Sequence, residues 1–212
     1  MKKIRVATAL ALALPALLAT SLYAESHSEK KGAPPAMSPA QMEAMKAYMA
    51  AATPGEAHKK MAKMAGKWKV KVWSQMDPSA PAETSEATAE FSMMLGGRHM
   101  VQKFNGTMMG QPFEGRGTSS YDNVTGEYID TWTDTMSTGI SVMKGKAEGN
   151  VVTQTGSMVD AVTKKTIEMK SVGTFKSDDA MAFEMWMSGP DGKMFKCMTL
   201  DYTRVGAAKK KG

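Results

Sequence analysis

The chain has 212 residues, 27 Lys+Arg against 21 Asp+Glu, and a formal net charge of +6. Six basic residues stand near its ends, Lys2, Lys3 and Arg5, then Lys209, Lys210 and Lys211; the rest is neutral, so a pI near 9.3 is no argument for a nucleic-acid partner. One Cys excludes an intramolecular disulfide and any C-x-x-C metal site.

Residues 1–24 read as a signal peptide. Lys2, Lys3 and Arg5 make a positive n-region, Val6 to Ala19 is apolar apart from Thr8, and Ser21-Leu22-Tyr23-Ala24 offers a small residue at the cut. The apolar run is short of the ~20 residues a membrane span needs. The expectation is a periplasmic or secreted protein beginning near Glu25, with no stable membrane anchor. Residues 25–37 are polar, contain Pro and Gly, and read as a flexible linker.

Two short amphipathic helices are expected over residues 38–66. Ser38-Pro39-Ala40-Gln41 sets a capping Ser, a Pro at the first helical position and a Gln at the third. Met42, Met45 and Met49 form one apolar stripe. Thr53-Pro54-Gly55-Glu56 repeats the capping pattern. Met61, Met64 and Ala65 give the second helix its apolar side, and Gly66 can end it. Isolated helices this short are marginal in water, so both stripes are expected to pack against the rest of the protein.

From Trp68 the hydrophobic period becomes two. Ten candidate strands begin with Trp68–Trp73, Glu86–Met93 and His99–Phe104. Further runs follow at Phe113–Tyr121, Glu127–Met136, Gly139–Lys144, Val151–Met158, Thr166–Phe175, Ala180–Met187 and Met194–Arg204. Short turn-rich links make successive strands antiparallel. The reading is a mainly β fold, an up-and-down antiparallel β-barrel of about ten strands over residues 67–205, with a basic tail at 206–212. A two-sheet sandwich is the alternative.

Gly66-Lys67-Trp68 resembles the G-x-W signature of lipocalin-type (calycin) barrels, and Tyr202-Thr203-Arg204 resembles the place of their late Arg. More closely, the chain resembles the bacterial domain-of-unknown-function family 1579. Leu95-Gly96-Gly97-Arg98, Met108 to Gly115 (MMGQPFEG), Tyr121-Asp122-Asn123 and Thr131-Trp132-Thr133-Asp134 carry the match. Thr138-Gly139, Gly189 to Lys193 (GPDGK) and Tyr202-Thr203-Arg204 extend it, and it covers roughly Thr53 to Arg204. The resemblance implies an exported barrel of unassigned activity.

The sequence has no G-x-S-x-G elbow, Walker loop, H-E-x-x-H or Gly-rich dinucleotide turn. Among the three His, only His99 falls within the barrel, with no marked Ser beside it. Asp130 and Asp134 share a strand face with Tyr128 and Trp132. They stand ~13 Å apart at the usual rise, too far for a coupled dyad, and the plain reading is two solvent-facing carboxylates. No catalytic residue and no cofactor are expected, although an enzyme using lumen carboxylates stays open.

The 22 Met are the compositional outlier. Thioethers select Cu(I), so a periplasmic Cu(I)-binding protein is one alternative. Its clusters would be Met42/Met45/Met49, Met61/Met64, Met93-Met94, Met108-Met109 and Met185/Met187. Flexible apolar packing is the plainer use, and no metal site is expected. The small residues Ala87, Ala89, Gly115, Gly117, Gly156 and Gly173 fall on candidate inward faces and leave room for a cavity. The expected function is binding of a small apolar or amphipathic ligand in the lumen, with a filled barrel serving as a structural or interaction module as the other alternative. Candidate ligand residues are Gln111, Phe113, Arg116, Trp132, Asp134, Met185 and Met187. Trp68 and Arg204 are read as a closure pair, because barrel closure sets the start of the first strand beside the end of the last.

Overall fold

The computed structural model describes residues 37–189 and 191–206. The residues read as a signal peptide, nearly all of those read as a linker and most of those read as a basic tail lie outside the described residues. A compact unit begins at Pro39. It opens with two helical pieces, α1 (Pro39–Ala52) and α2 (Glu56–Ala62), followed by β1 (Gly66–Ser74), β2 (Glu83–Met94) and β3 (His99–Met108). Next come β4 (Gln111–Asp122), β5 (Glu127–Asp134), β6 (Ser141–Glu148) and β7 (Val151–Val159). β8 (Thr166–Ser177), β9 (Ala180–Ser188) and β10 (Met194–Arg204) complete the set of described strands. No helix among the described residues is long and apolar enough to cross a membrane.

The strands pair antiparallel with their neighbours in sequence, and β1 pairs with β10, closing a ten-strand barrel. The reason is visible along each strand. In β1, Trp68 and Val70 are buried while Lys67, Lys69 and Lys71 are exposed. In β2, Ala87, Ala89 and Phe91 are buried between exposed Glu86, Thr88 and Glu90. A sheet with one apolar and one polar face buries the first and leaves no open edge when it curls on itself. The register shifts at two places, between Lys196 and Met198, where Cys197 is the extra residue of β10, and between Phe175 and Ser177 of β8.

Two rings of aromatic contacts fill much of the interior. Trp68, Phe91 and Tyr202 meet near the helical end, with Tyr202 6.4 Å from Trp68 and 6.0 Å from Phe91. Phe104, Phe113 and Trp132 meet toward the far end, at 6.0 and 6.2 Å from Phe104. α2 covers the helical end with buried His58 and Met61, and half-buried Met64 follows it. His58 meets Tyr121 edge-on at 5.9 Å and accepts the Gly55 N–H through Nδ1 at 3.0 Å.

α1 departs from the expected packing. None of its residues is buried, and Met42, Met45, Tyr48 and Met49 are exposed. The barrel grips this helix by its C-terminal carbonyls rather than by its side. Arg98 Nε donates to Ala52 O at 2.9 Å, and Asn123 Nδ2 donates to the carbonyls of Ala50, Ala51 and Thr53 at 3.3, 3.1 and 2.8 Å. Those carbonyls are among the groups a helix end leaves unpaired. Thr53 also corrects the sequence reading. Its hydroxyl donates to Met49 O at 2.6 Å and so closes α1, while Gly55 caps α2.

The seam of the barrel is held by Trp68 and Arg204, which stand opposite each other in the β1–β10 register. The Arg204 Cζ lies 4.2 Å from the Trp68 ring centroid. Its three nitrogens donate to Lys63 O at 2.6 Å, Ala65 O at 2.7 Å and Asp178 O at 2.8 Å. The Trp68 Nε1 donates to Met64 O at 2.9 Å. Gly66, at φ +124, takes a backbone conformation that favours glycine. A Cβ there would also stand 2.9 Å from Arg204 Nη1. The spacing of Gly66 and Trp68 thus serves the guanidinium, one residue making room and the other stacking.

Candidate functional site

Phe104, Phe113 and Trp132 pack against one another toward the far end of the lumen, and the helical end is open. There a cavity of about 340 Å³ runs from the chain after α2 into the barrel. Its mouth is formed by Lys60 and Lys63, by the β6–β7 turn at Gly149 and Asn150, and by Lys176 to Asp178. Its apolar wall includes Met61, Phe91, Met100, Val152, Met181 and Phe183. The mouth lysines are partly engaged: Lys63 lies 4.0 Å from Asp178, and Lys176 lies 2.9 Å from Asp201.

The small inward residues divide by what fills the space beside them. The Trp132 ring lies over Gly115 and Gly117. The Val142 carbonyl and the Met143 side chain crowd Gly156. Gly106 closely approaches Ala87. Gly173 is different, because it lines the cavity and a Cβ built on it meets nothing within 4 Å. Ala147 and Ala182 line the same space.

Inside the mouth the wall carries polar side chains: Gln102, Ser119, Tyr128, Asp130, Gln154 and Tyr202. Gln102 Nε2 donates to the Tyr202 hydroxyl at 3.3 Å, and the Ser171 hydroxyl donates to Gln154 Oε1 at 3.5 Å. Asp130 pairs across strands with Ser119. It is reachable through the cavity, yet the surrounding protein strips it of water, and this desolvation pushes its carboxyl from 3.8 up to about 6. Ser119 and Gln154 beside it favour the charged form and oppose that rise. Gln154 is 4% exposed, and its Nε2 finds no partner of hydrogen-bonding geometry. Tyr202 is pushed up to about 12, first by burial, with the Gln102 hydrogen bond opposing.

Asp130 therefore corrects the reading of two solvent-facing carboxylates. Asp134 stays near the far end, where Oδ2 accepts from Trp132 Nε1 at 2.8 Å and Oδ1 accepts from Met136 N at 2.9 Å. It fixes an indole and a turn.

None of the seven candidate ligand residues lines the cavity. Gln111 is exposed at the start of β4. Phe113 is buried against Phe104. Arg116 is exposed and bonds Glu114 at 3.1 Å and Gly115 O at 2.8 Å. Trp132 and Asp134 are tied to each other as above. Met185 and Met187 are half-buried on β9. The structure gathers Phe113, Trp132 and Asp134 near the far end and leaves the others apart. Gln154, Gln102 and Ser119 went unmarked by sequence reasoning, since single polar residues on strands carry no motif. The signal available was their position on the same alternation as apolar Val152, Met100 and Tyr121.

His99 Nδ1 lies 2.7 Å from the Ser120 hydroxyl, a neighbour in register that the sequence did not mark. Neither residue lines the cavity. Cys197 is buried; desolvation pushes its thiol up to about 11, and Sγ contacts Met185 O at 3.4 Å. A thiol held protonated is a poor nucleophile. Among the described residues no three His, Cys, Asp or Glu gather as a metal site. The Met groups are dispersed between exposed α1, the cavity mouth and the far turn.

No curated protein matches the chain. The crystal structure of Rv2717c from M. tuberculosis is similar at 13% identity with a TM-score of 0.49, over 72% of this chain and 99% of that one. A redesigned beta barrel is similar at 14% identity with a TM-score of 0.37, over 68% and 94%. The family profile described as "Protein of unknown function (DUF1579)" matches residues 53–204, and with the barrel, its gripped helix and its Trp68–Arg204 seam all within or bordering that span, the chain belongs to this family.

Proposed function

We propose that this protein is an exported barrel that holds a small apolar or amphipathic ligand in its lumen. The observation that carries the reading is the 340 Å³ cavity beside Gly173, a position where the strand gives up its side chain and nothing takes its place. Pockets of this size are within the range that encloses small molecules. Affinity comes from apolar surface removed from water, at ~25 cal/mol per Å², against Phe91, Val152, Met181 and Phe183. Met61, Met64 and Met100 on the same wall are unbranched and polarisable, and they adapt to ligands of differing outline. Orientation comes from the polar wall around Asp130 and Gln154.

Two measurements test this. Native mass spectrometry of protein taken from its own cells reads any co-purified mass. Titration with the neutral apolar fluorophore N-phenyl-1-naphthylamine reads the cavity directly. The wild type is expected to bind the fluorophore, and Gly173→Leu, which fills the space with no clash at its Cβ, is expected to lose that binding while staying folded. Equal binding by both, or none by the wild type, overturns the reading. Export is tested by N-terminal sequencing of the same material, with Glu25 or a close neighbour expected first and intact Met1 counting against it.

A further inference from the structure

We propose that His58 is an acid-sensitive latch: as a neutral ring it seats α2 over the barrel mouth, and as a cation it unseats α2 and widens the way into the lumen. The movement stands on its own geometry; its use in ligand exchange rests on the lumen-binding reading.

α2 is a wall of the cavity that its own length does not hold in place. It has seven residues, of which His58 and Met61 are buried. A helix this short is marginal without tertiary contact. Lys60 and Met61 line the cavity from it. The chain is fastened just before α2, where Asn123 Nδ2 donates to Thr53 O at 2.8 Å, and just after it, where Arg204 Nη2 donates to Lys63 O at 2.6 Å. Across the mouth the tie is long, from Lys60 Nζ to Gly149 O at 3.4 Å. Between these fastenings His58 joins α2 to the barrel, edge-on to Tyr121 of β4 at 5.9 Å.

The ring fits in one protonation state. Its Nδ1 accepts the Gly55 N–H at 3.0 Å, so the proton of the neutral ring is on Nε2. His58 is the third residue of α2 and Gly55 its N-cap, so this bond closes the first turn. A proton on Nδ1 turns the acceptor into a donor, and two donors then face each other.

The surroundings also oppose the charge. Burial lowers the His58 pKa from 6.5, with His99 and Arg98 lowering it further and a hydrogen bond to the Tyr121 backbone opposing them. Arg98 is pinned in place by its bonds to Ala52 O at 2.9 Å and Leu95 O at 3.1 Å. The neighbouring carboxylates are bonded elsewhere. Glu56 pairs with Lys59 at 2.6 Å. Asp122, next to Tyr121 on β4, accepts from the Val124 N–H at 2.8 Å and the Thr125 hydroxyl at 3.1 Å. On α2 itself Lys59 and Lys60 are exposed. Closure is therefore at full strength above pH 6.5 and weakens as pH falls below it. Asp130, which lines the same cavity, takes up its proton with the opposite effect on stability.

The test is hydrogen exchange at residues 56–65 of the full-length protein at pH 7.5 and 4.5, with rates divided by those of an unstructured chain at each pH. In the wild type, exchange in this segment is expected to rise roughly tenfold or more on acidification, with the β-strand amides unchanged. Two variants are expected to lose that pH dependence. His58→Asn, whose amide oxygen stands near the place of Nδ1 and does not titrate, stays protected at both pH values. His58→Ala, which leaves the Gly55 N–H unmet, is unprotected at both. No rise in the wild type overturns the latch, and so does an equal rise in either variant. Stopped-flow entry of N-phenyl-1-naphthylamine then reads the mouth. Entry is expected to be roughly fivefold or more faster at pH 4.5 than at pH 7.5 in the wild type, and equal at the two in His58→Asn. Equal entry rates in the wild type overturn the gating of the lumen by α2. If no fluorophore enters at either pH while the exchange result holds, the latch stands and the lumen reading falls.

Discussion

Trp132 lays its indole over Gly115, in the space where a side chain at residue 115 would stand. The ring is held there by the hydrogen bond from its Nε1 to Asp134 Oδ2. A strand glycine covered by a neighbouring aromatic ring is a packed position, and a strand glycine facing open space is not. Gly115→Ala is therefore expected to displace the indole and cost ~1–3 kcal/mol, the usual range for overpacking. Gly173→Ala is expected to be neutral or slightly stabilising. Urea unfolding of the two variants reads the contrast, and equal effects would show that Trp132 does not depend on Gly115.

Trp68 and Arg204 should be coupled energetically. Trp68 is fully buried, so Trp68→Ala is expected to cost ~3–5 kcal/mol. Arg204→Ala should cost less, since part of that side chain is exposed. A cation over an indole contributes ~0.5–2 kcal/mol, and the double variant is expected to fall short of the summed losses by about that amount. Strict additivity in a denaturant double-mutant cycle would leave the ring contact without energetic content.

Asp130 predicts a pH dependence of stability with a definite sign. Its carboxyl is raised in the folded protein, from 3.8 to about 6, so the native state holds its proton where the unfolded chain has already released it. Stability from this group is highest below about pH 4, falls as pH rises toward 6, and levels off above. The span is on the order of 2–3 kcal/mol. His58 acts in the opposite sense, because burial lowers its pKa from 6.5, and acid below that value destabilises the fold. The difference between wild type and Asp130→Asn isolates the carboxylate. That difference should shrink toward alkaline pH only if the assignment is wrong, and it should grow between pH 4 and 6 if it is right.

Arg98 and Asn123 should set the protection of α1. Each side-chain bond to a carbonyl is worth ~1 kcal/mol, and no buried side chain of α1 shares the task. In the Arg98→Ala/Asn123→Ala double variant, hydrogen exchange at residues 43–52 is expected to rise roughly tenfold or more, with the β-barrel amides unchanged. Unchanged exchange in α1 would mean that contacts along its side hold it.

The barrel was legible because its outer face is so plainly polar. Lys67, Lys69 and Lys71 against Trp68 and Val70 leave one way to turn β1. The same alternation marked the ten strands, and the short turn-rich links between them gave their order and with it the meeting of Trp68 and Arg204. Legibility ended where both faces of a strand are mixed. On β5, Tyr128, Asp130, Trp132 and Asp134 alternate with Ile129, Thr131 and Thr133, and neither set is clearly the inner one, so Asp130 read as solvent-facing. The Met stripe of α1 shows which face could be buried and is silent on whether anything covers it. Gly115, Gly156 and Gly173 look alike in sequence, and only the neighbours that lean over them distinguish a filled site from an open one.

The pairing of β1 with β10 also has a consequence for how the chain folds. Every other ladder joins strands adjacent in sequence, so hairpins can form locally and in any order. The closing ladder joins residues as distant as Trp68 and Arg204, and its loop-closure entropy is the largest in the molecule. Until β10 arrives, β1 and β9 each present an unpaired edge of the kind that templates aggregation. A nascent chain released before Met194 would expose two such edges together with the apolar lumen, which makes completion of the last strand the step at which this protein becomes safe from its own surfaces.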